Sequence, residues 1–170
     1  MGYVHDTHMS QFIPPTMAWG DTATWAMAAG QVAHTKALHA DATDETATLH
    51  IPVLLPSNSQ ASKGALLKSI EIDFEILVAA CDAMAATIYK VTRGADGSDA
   101  VAASVSFSYD TGRDAAAERI DVDEHKMTLT LDTPAWIDND EEYWVEVAFD
   151  KAATTTIDFL GAVANFTLRA

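Results

Sequence analysis

From Leu66 to Leu168 apolar and polar residues alternate along the chain, segment after segment. Val101, Ala103, Val105, Phe107 and Tyr109 fall on one face of an extended run, and Ala102, Ser104, Ser106, Ser108 and Asp110 on the other. A period of two is the pattern of a strand with one buried and one wet face. Ile70, Ile72, Phe74, Ile76 and Val78 repeat it, with Glu71, Asp73 and Glu75 outward, and so do Tyr143, Val145, Val147 and Phe149. Ala47, Leu49, Ile51, Val53 and Leu55 alternate as well, which puts Pro52 at an edge or a bulge. Shorter strands are expected over Ala86–Thr92, after a turn at Asp82-Ala83-Met84, and over Lys126–Leu131, before an acidic loop over Thr133–Glu142. Asp96-Gly97 marks a hairpin. Thr155–Leu168 is long for one strand, and Gly161 is where a bulge would switch its faces.

Several such strands in a row, broken by Gly and Asp turns, predict an all-β fold. The expectation is an antiparallel β-sandwich, jelly-roll-like, of about eight strands over residues 21–170. Residues 21–38 are ambiguous, since their alanine content favours helix while Trp25, Met27 and Ala29 alternate; two strands, or one kinked at Gly30, are expected. Residues 1–20 read differently. They are apolar without a period, and Pro14-Pro15 forbids regular helix or a central strand. An extended N-terminal arm is expected there, docked on its own domain or on a neighbouring subunit through Phe12, Ile13, Pro14, Pro15, Met17 and Trp19.

Charge narrows the partners. Twenty-five acidic residues against ten basic leave a formal charge of −15, which repels phosphate backbones and anionic membranes, so neither nucleic acid nor a membrane is expected. No secretory n-region or h-region opens the chain, and no apolar window is long enough to span a bilayer. The expectation is a chain made in a cytoplasm with no signal peptide. The single cysteine, Cys81, ends an apolar run and reads as a small buried hydrophobe.

Candidate chemistry is sparse. The chain has no G-x-S-x-G, H-E-x-x-H, P-loop or G-x-G-x-x-G. Glu71, Asp73 and Glu75 share a strand face at a spacing a glycosidase can use, but they read better as a surface that resists aggregation. Asp138, Asp140 and Glu142 are the best oxygen ligands for a cation, yet they lack the EF-hand pattern, and neither metal nor cofactor is expected. His5-Asp6-Thr7-His8 has a spacing that suits a transition metal but offers no third ligand. Trp136 and Trp144 are candidate contacts with a ligand or a subunit, Trp144 because it faces away from Tyr143, Val145 and Val147.

The stretches Tyr143–Phe149 and Thr155–Thr167, and the pair formed by Glu71–Ile76 with Ile88–Val91, resemble the strands of small phage virion proteins with jelly-roll folds. That resemblance implies a non-enzymatic structural subunit of a virion, of capsid decoration or fibre type. It further implies a homo-oligomer, a trimer for preference, that binds a larger shell such as a major capsid protein. The alternative is a carbohydrate-binding or receptor-binding module that uses the exposed tryptophans.

Overall fold

A computed structural model describes residues 5–20, 25–27, 36–38, 44–58, 64–94, 96 and 100–169. Among them are twelve strands: β1 (Asp6–Ile13), β2 (Trp19–Gly20), β3 (Trp25–Met27), β4 (Lys36–Leu38), β5 (Glu45–Val53), β6 (Gly64–Leu77), β7 (Cys81–Thr92), β8 (Val101–Val105), β9 (Phe107–Tyr109), β10 (Glu124–Trp136), β11 (Glu141–Lys151) and β12 (Thr156–Arg169). Short 3-10 turns occupy Pro15–Met17 and Ala116–Arg119. The strands form two antiparallel sheets. One runs β3-β4-β12-β6-β10-β9, with β1 also on β12; the other runs β2-β5-β11-β7-β8. The fold is an antiparallel β-sandwich, as the alternation predicts. The kink expected at Gly30 lies outside the described residues.

The inward faces make one core. Ala47, Leu49, Ile51 and Val53 of β5 and Tyr143, Val145, Val147 and Phe149 of β11 pack onto Ile70, Ile72, Phe74 and Ile76 of β6. Phe74 sits at its centre, edge-on to Phe149 at 5.6 Å and stacked on the His125 ring at 4.8 Å. A buried aromatic in such a setting contributes several kcal/mol, roughly 3–5 on truncation to alanine. Trp25 of β3 packs against Phe149 and passes so close to Gly20 that a side chain there would collide with the indole.

Four local expectations need correction. The N-terminal segment, expected as an extended arm, is extended and lies on its own domain, where β1 pairs with β12 from Asp6↔Arg169 to Ile13↔Ala162 without a break. Seven of its eight residues are exposed, so an edge strand has no apolar alternation to display. Val101–Tyr109 is not one strand but two. β8 pairs with β7 in one sheet, β9 with β10 in the other, and the chain crosses between them at Ser106. The Asp132 carboxylate, which accepts the Ser106 and Ser108 hydroxyls, fixes that crossing. The turn expected at Asp82–Met84 lies instead at Val78–Ala80. Val78 is 76% exposed there with a left-handed φ of 72°, and a register shift at Asp150/Lys151 breaks the alternation of β7. Pro134 and Trp136, expected in a loop, belong to β10, whose pairing with β6 jumps from Thr130 to Ala135 and so leaves Pro134 without a ladder partner. The strand count is larger than eight because β1 and the two-residue β2 add to it, residues 21–38 contribute β3 and β4, and Val101–Tyr109 divides into β8 and β9.

Two expectations stand as read. Pro52 of β5 pairs with Trp144 on one side, while β2 reaches only Leu49 and His50 on the other. Gly161 carries a bulge: Ile157 and Phe159 are buried before it, Ala162, Ala164 and Phe166 after it, and its φ is 136°. A β-carbon at Gly161 would also meet the Phe12 ring at 2.7 Å.

The carboxylates on the outer face of the seven-stranded sheet titrate in opposite directions. A hydrogen bond from Lys126, and a second from Asn165, hold Glu71 below the ordinary carboxylate range. Partial burial raises Asp73. Glu71 takes up a proton less readily folded than unfolded, so its stabilisation is present above the unfolded value and is lost as pH falls through the lower folded one. Asp73 has the reverse sign: it detracts from stability above its raised folded value, and the deficit closes as pH falls.

Two outcomes follow from these contacts. Gly161→Ala should lower the stability measured by urea unfolding by about 1–3 kcal/mol, since the left-handed backbone and the Phe12 contact both oppose a side chain. Combining it with Phe12→Ala should return part of that loss. Asp73→Asn should be more stable than the parent at neutral pH, with the difference shrinking as the melts are taken down towards about pH 4.

Candidate functional site

The outer face of the five-stranded sheet carries the aromatic residues. Because β5 and β11 bury their odd-numbered positions, His50, Pro52, Trp144 and Glu146 point outward. Antiparallel register then sets these residues side by side. One row runs Trp19, His50, Glu146 and Thr87 across β2, β5, β11 and β7. The next runs Pro52, Trp144, Tyr89 and Ser104 across β5, β11, β7 and β8. Paired residues share a face, and neighbouring strands lie about 4.8 Å apart, so Trp19 to Tyr89 spans ~14 Å of sheet.

The rings lie in two pairs. Trp19, 48% exposed, stacks on His50 with centroids 5.2 Å apart and planes 16° from parallel. Tyr89 and Trp144 meet at 5.5 Å and 33°. Between the pairs, Glu146 Oε2 lies 4.0 Å from His50 Nδ1. The Trp144 indole nitrogen is shielded from solvent and has no hydrogen-bond partner among the described residues. The arrangement is a platform of aromatic faces with one carboxylate and one imidazole in reach. It suits stacking and hydrogen bonding to a polar ligand laid across the strands.

The residues expected to act are therefore divided. Trp144 and Trp19 share the platform. Trp136 does not join them: it pairs with Leu66 in the other sheet, with the Arg169 guanidinium 5.2 Å from its ring centre. Of the N-terminal contact residues, Ile13 and Pro15 are buried, Pro14 is half-buried, and Phe12, Met17 and Trp19 are exposed. His50, Tyr89, Glu146 and Thr87 were not among the candidate site residues of the sequence. Their outward phase was legible, but which strands are neighbours was not.

The acidic segment is the turn from β10 into β11, and its groups are engaged internally. Asp138 accepts a hydrogen bond from Asn58 Nδ2 at 2.7 Å, and the Asn139 N–H donates to Asn58 Oδ1 at 3.1 Å. The Asp140 carbonyl accepts the Arg93 N–H at 2.9 Å, and Glu142 pairs with the Arg93 guanidinium at 3.4 Å. Glu141, next in line, pairs with Lys90 and raises the affinity of that amine for its proton. Among the described residues no three His, Cys, Asp or Glu side chains converge on a point where a metal ion could sit. Asp6 is held by Arg169 through two contacts, and His8 Nδ1 lies 3.1 Å from the Thr167 hydroxyl. Cys81 is buried, and burial pushes its thiol up to about 12, away from nucleophilic use.

Glu71, Asp73 and Glu75 face outward on the opposite sheet. Glu71 is bound to Lys126 at 2.6 Å and to Asn165 at 2.8 Å. A recess beside them is lined by Asp73, Glu124, His125, Lys126 and Leu160.

No protein-family model matches the sequence, and no curated protein matches it. Solved structures similar to the chain include a carbohydrate-binding module from the β-sandwich superfamily, at 12% identity and a TM-score of 0.38. The match covers 92% of this chain, which spans about half, 55%, of that one. TmCBM61, solved with β-1,4-galactotriose, is 7% identical over 96% of this chain and 88% of its own, with a TM-score of 0.38. A family 11 carbohydrate-binding module from Clostridium thermocellum, solved with a mixed-linked β-1,3-1,4 tetrasaccharide, is 10% identical over 98% and 89%, with a TM-score of 0.33.

Since Asp138, Glu141 and Glu142 already have partners, thermal melts recorded with EDTA and with excess Ca²⁺ should coincide. A midpoint that falls with EDTA and returns with Ca²⁺ would show an ion bound to the folded state.

Proposed function

We propose that this chain is a binding module without turnover of its own. It recognises an uncharged oligosaccharide laid across the outer face of the five-stranded sheet. The observation that carries this reading is the aromatic platform itself. Trp19, Trp144 and Tyr89 come from three different strands, face the same way and span more than one sugar ring. Sugar rings present C–H faces that stack on aromatic surfaces, while their hydroxyls need acceptors and donors between the rings, the place of Glu146 and His50. An uncharged ligand fits because Glu146 stands at the centre of the platform and the chain carries −15 overall. A uronate or sulfated glycan would be repelled.

A second reading, a subunit of a virion or a similar assembly, is favoured by one observation: β1 lies at the rim of its sheet with most of its side chains in solvent.

The recognition reading is tested by titration calorimetry against soluble β-glucan, xylan and galactan, with polygalacturonate as the acidic comparison. Binding is expected to at least one neutral chain and not to the acid. Trp19→Ala, a change at a half-exposed surface residue, should weaken it by about 30-fold, the loss expected for a residue worth ~2 kcal/mol, with the melting temperature nearly unchanged. No binding across the neutral panel, or equal binding by Trp19→Ala and Trp144→Ala, would overturn the reading.

A further inference from the structure

We propose that the outer edge of β1, which no strand among the described residues covers, is a self-association surface, and that two copies of this chain join β1 to β1 antiparallel, extending their seven-stranded sheets into one.

An edge strand offers a row of backbone N–H and C=O groups, and proteins that stay monomeric blunt it with lysine, proline, a bulge or a covering segment. β1 has none of the first three. Its sequence, Asp-Thr-His-Met-Ser-Gln-Phe-Ile, holds no lysine and no proline, and its register on β12 has no break. Among the described residues no strand pairs with its outer side. Among the described residues it is also the longest of the strands that end a sheet: β2 has two residues, β3 and β9 three each, and β8 five. Met9 and Phe12, 44% and 58% exposed, leave apolar surface on both faces of the strand, where a neighbouring strand's side chains would cover them.

Charge selects a second copy as the occupant. Two chains of −15 repel over most of their surface. β1 is the place where they can meet. Asp6 is its one charged residue, and Arg169 neutralises it at 2.7 and 2.9 Å. The same neutrality gives no purchase to a cationic or anionic partner.

Antiparallel pairing of a strand with itself has a two-fold axis normal to the sheet, so it closes at two copies. The trimer expected from the sequence is not the assembly this edge builds. The same axis turns both five-stranded sheets to one side, so both aromatic platforms face the same way. A dimer could then hold a long polysaccharide at two points, and the second contact would be made at high effective concentration. That consequence rests on the recognition reading; the self-association does not.

The test is light scattering coupled to size-exclusion chromatography over a range of loading concentrations. A mass near twice 18.2 kDa is expected for the parent chain. The double variant Met9→Lys, Gln11→Lys places like charges on facing strands and should run at 18.2 kDa with an unchanged circular dichroism spectrum. Ala103→Lys on the β8 edge should leave the dimer intact. Hydrogen exchange on the parent chain checks this without any substitution: amides of Asp6–Ile13 should gain protection as concentration rises. A parent chain that stays monomeric throughout, a mass of three chains, or a dimer split by Ala103→Lys but not by the β1 lysines would overturn the proposal. Exchange in β1 that is indifferent to concentration, in a dimeric sample, would do the same.

Discussion

The pairing of β6 with β12 is the interaction on which the rest of this structure depends. β6 lies near the middle of the chain and β12 at its end, and they run together from Thr156↔Leu77 to Arg169↔Gly64. β12 then offers its other side to β1 and β4, while β6 offers its own to β10. Every strand of the larger sheet except β3 and β9 touches one of these two directly. The chain must therefore close a long loop before its main sheet exists, the kind of non-local pairing that makes β-sandwiches slow to fold. Gly161 makes the pairing workable. Without its bulge, the residues that follow would present Val163 and Asn165 to the core instead of Ala162, Ala164 and Phe166.

The alternation made the class of fold legible because burial on one face is a property of each strand by itself. Ile70 to Ile76 and Tyr143 to Phe149 could be assigned inward with no knowledge of their neighbours, and they are inward. What the sequence hid depends on neighbours. The run from Val101 to Tyr109 keeps one period across two sheets, because a strand that crosses between sheets at Ser106 does not have to change its pattern. β1 was unreadable for a different reason. Only Ile13 of its eight residues is buried, and Thr7 and Gln11 on the same face are polar and exposed, since a strand at the rim of the sandwich covers little core. The platform lay between these cases. Trp144 could be seen to face outward, but its meeting with Tyr89, and that of Trp19 with His50, is made by register between strands distant in sequence.

Charge is unevenly placed over the two outer faces. On the seven-stranded sheet Asp158, Glu75 and Glu124 stand opposite one another across β12, β6 and β10, and Asp73 lies one position along. Like charges directly opposite cost stability, and Lys126 offsets part of that cost by binding Glu71. A surface built this way keeps other molecules away, its own copies included. It leaves β1, with its one acid neutralised, as the approachable margin of that sheet.

The same contrast decides which outer face can hold a ligand. Covering the seven-stranded sheet would strip water from a row of carboxylates, at a cost that hydrogen bonds to an uncharged ligand do not repay. Covering the two aromatic rows of the five-stranded sheet removes water chiefly from Trp19, Tyr89, Trp144, Pro52 and Thr87, which lose little by it, and within those rows asks only Glu146 and His50 to find new partners. Both sheets have the same strand geometry and the same core beneath them. The difference in what they can bind lies in which residue types occupy the outward half of the alternation, the half that folding leaves free.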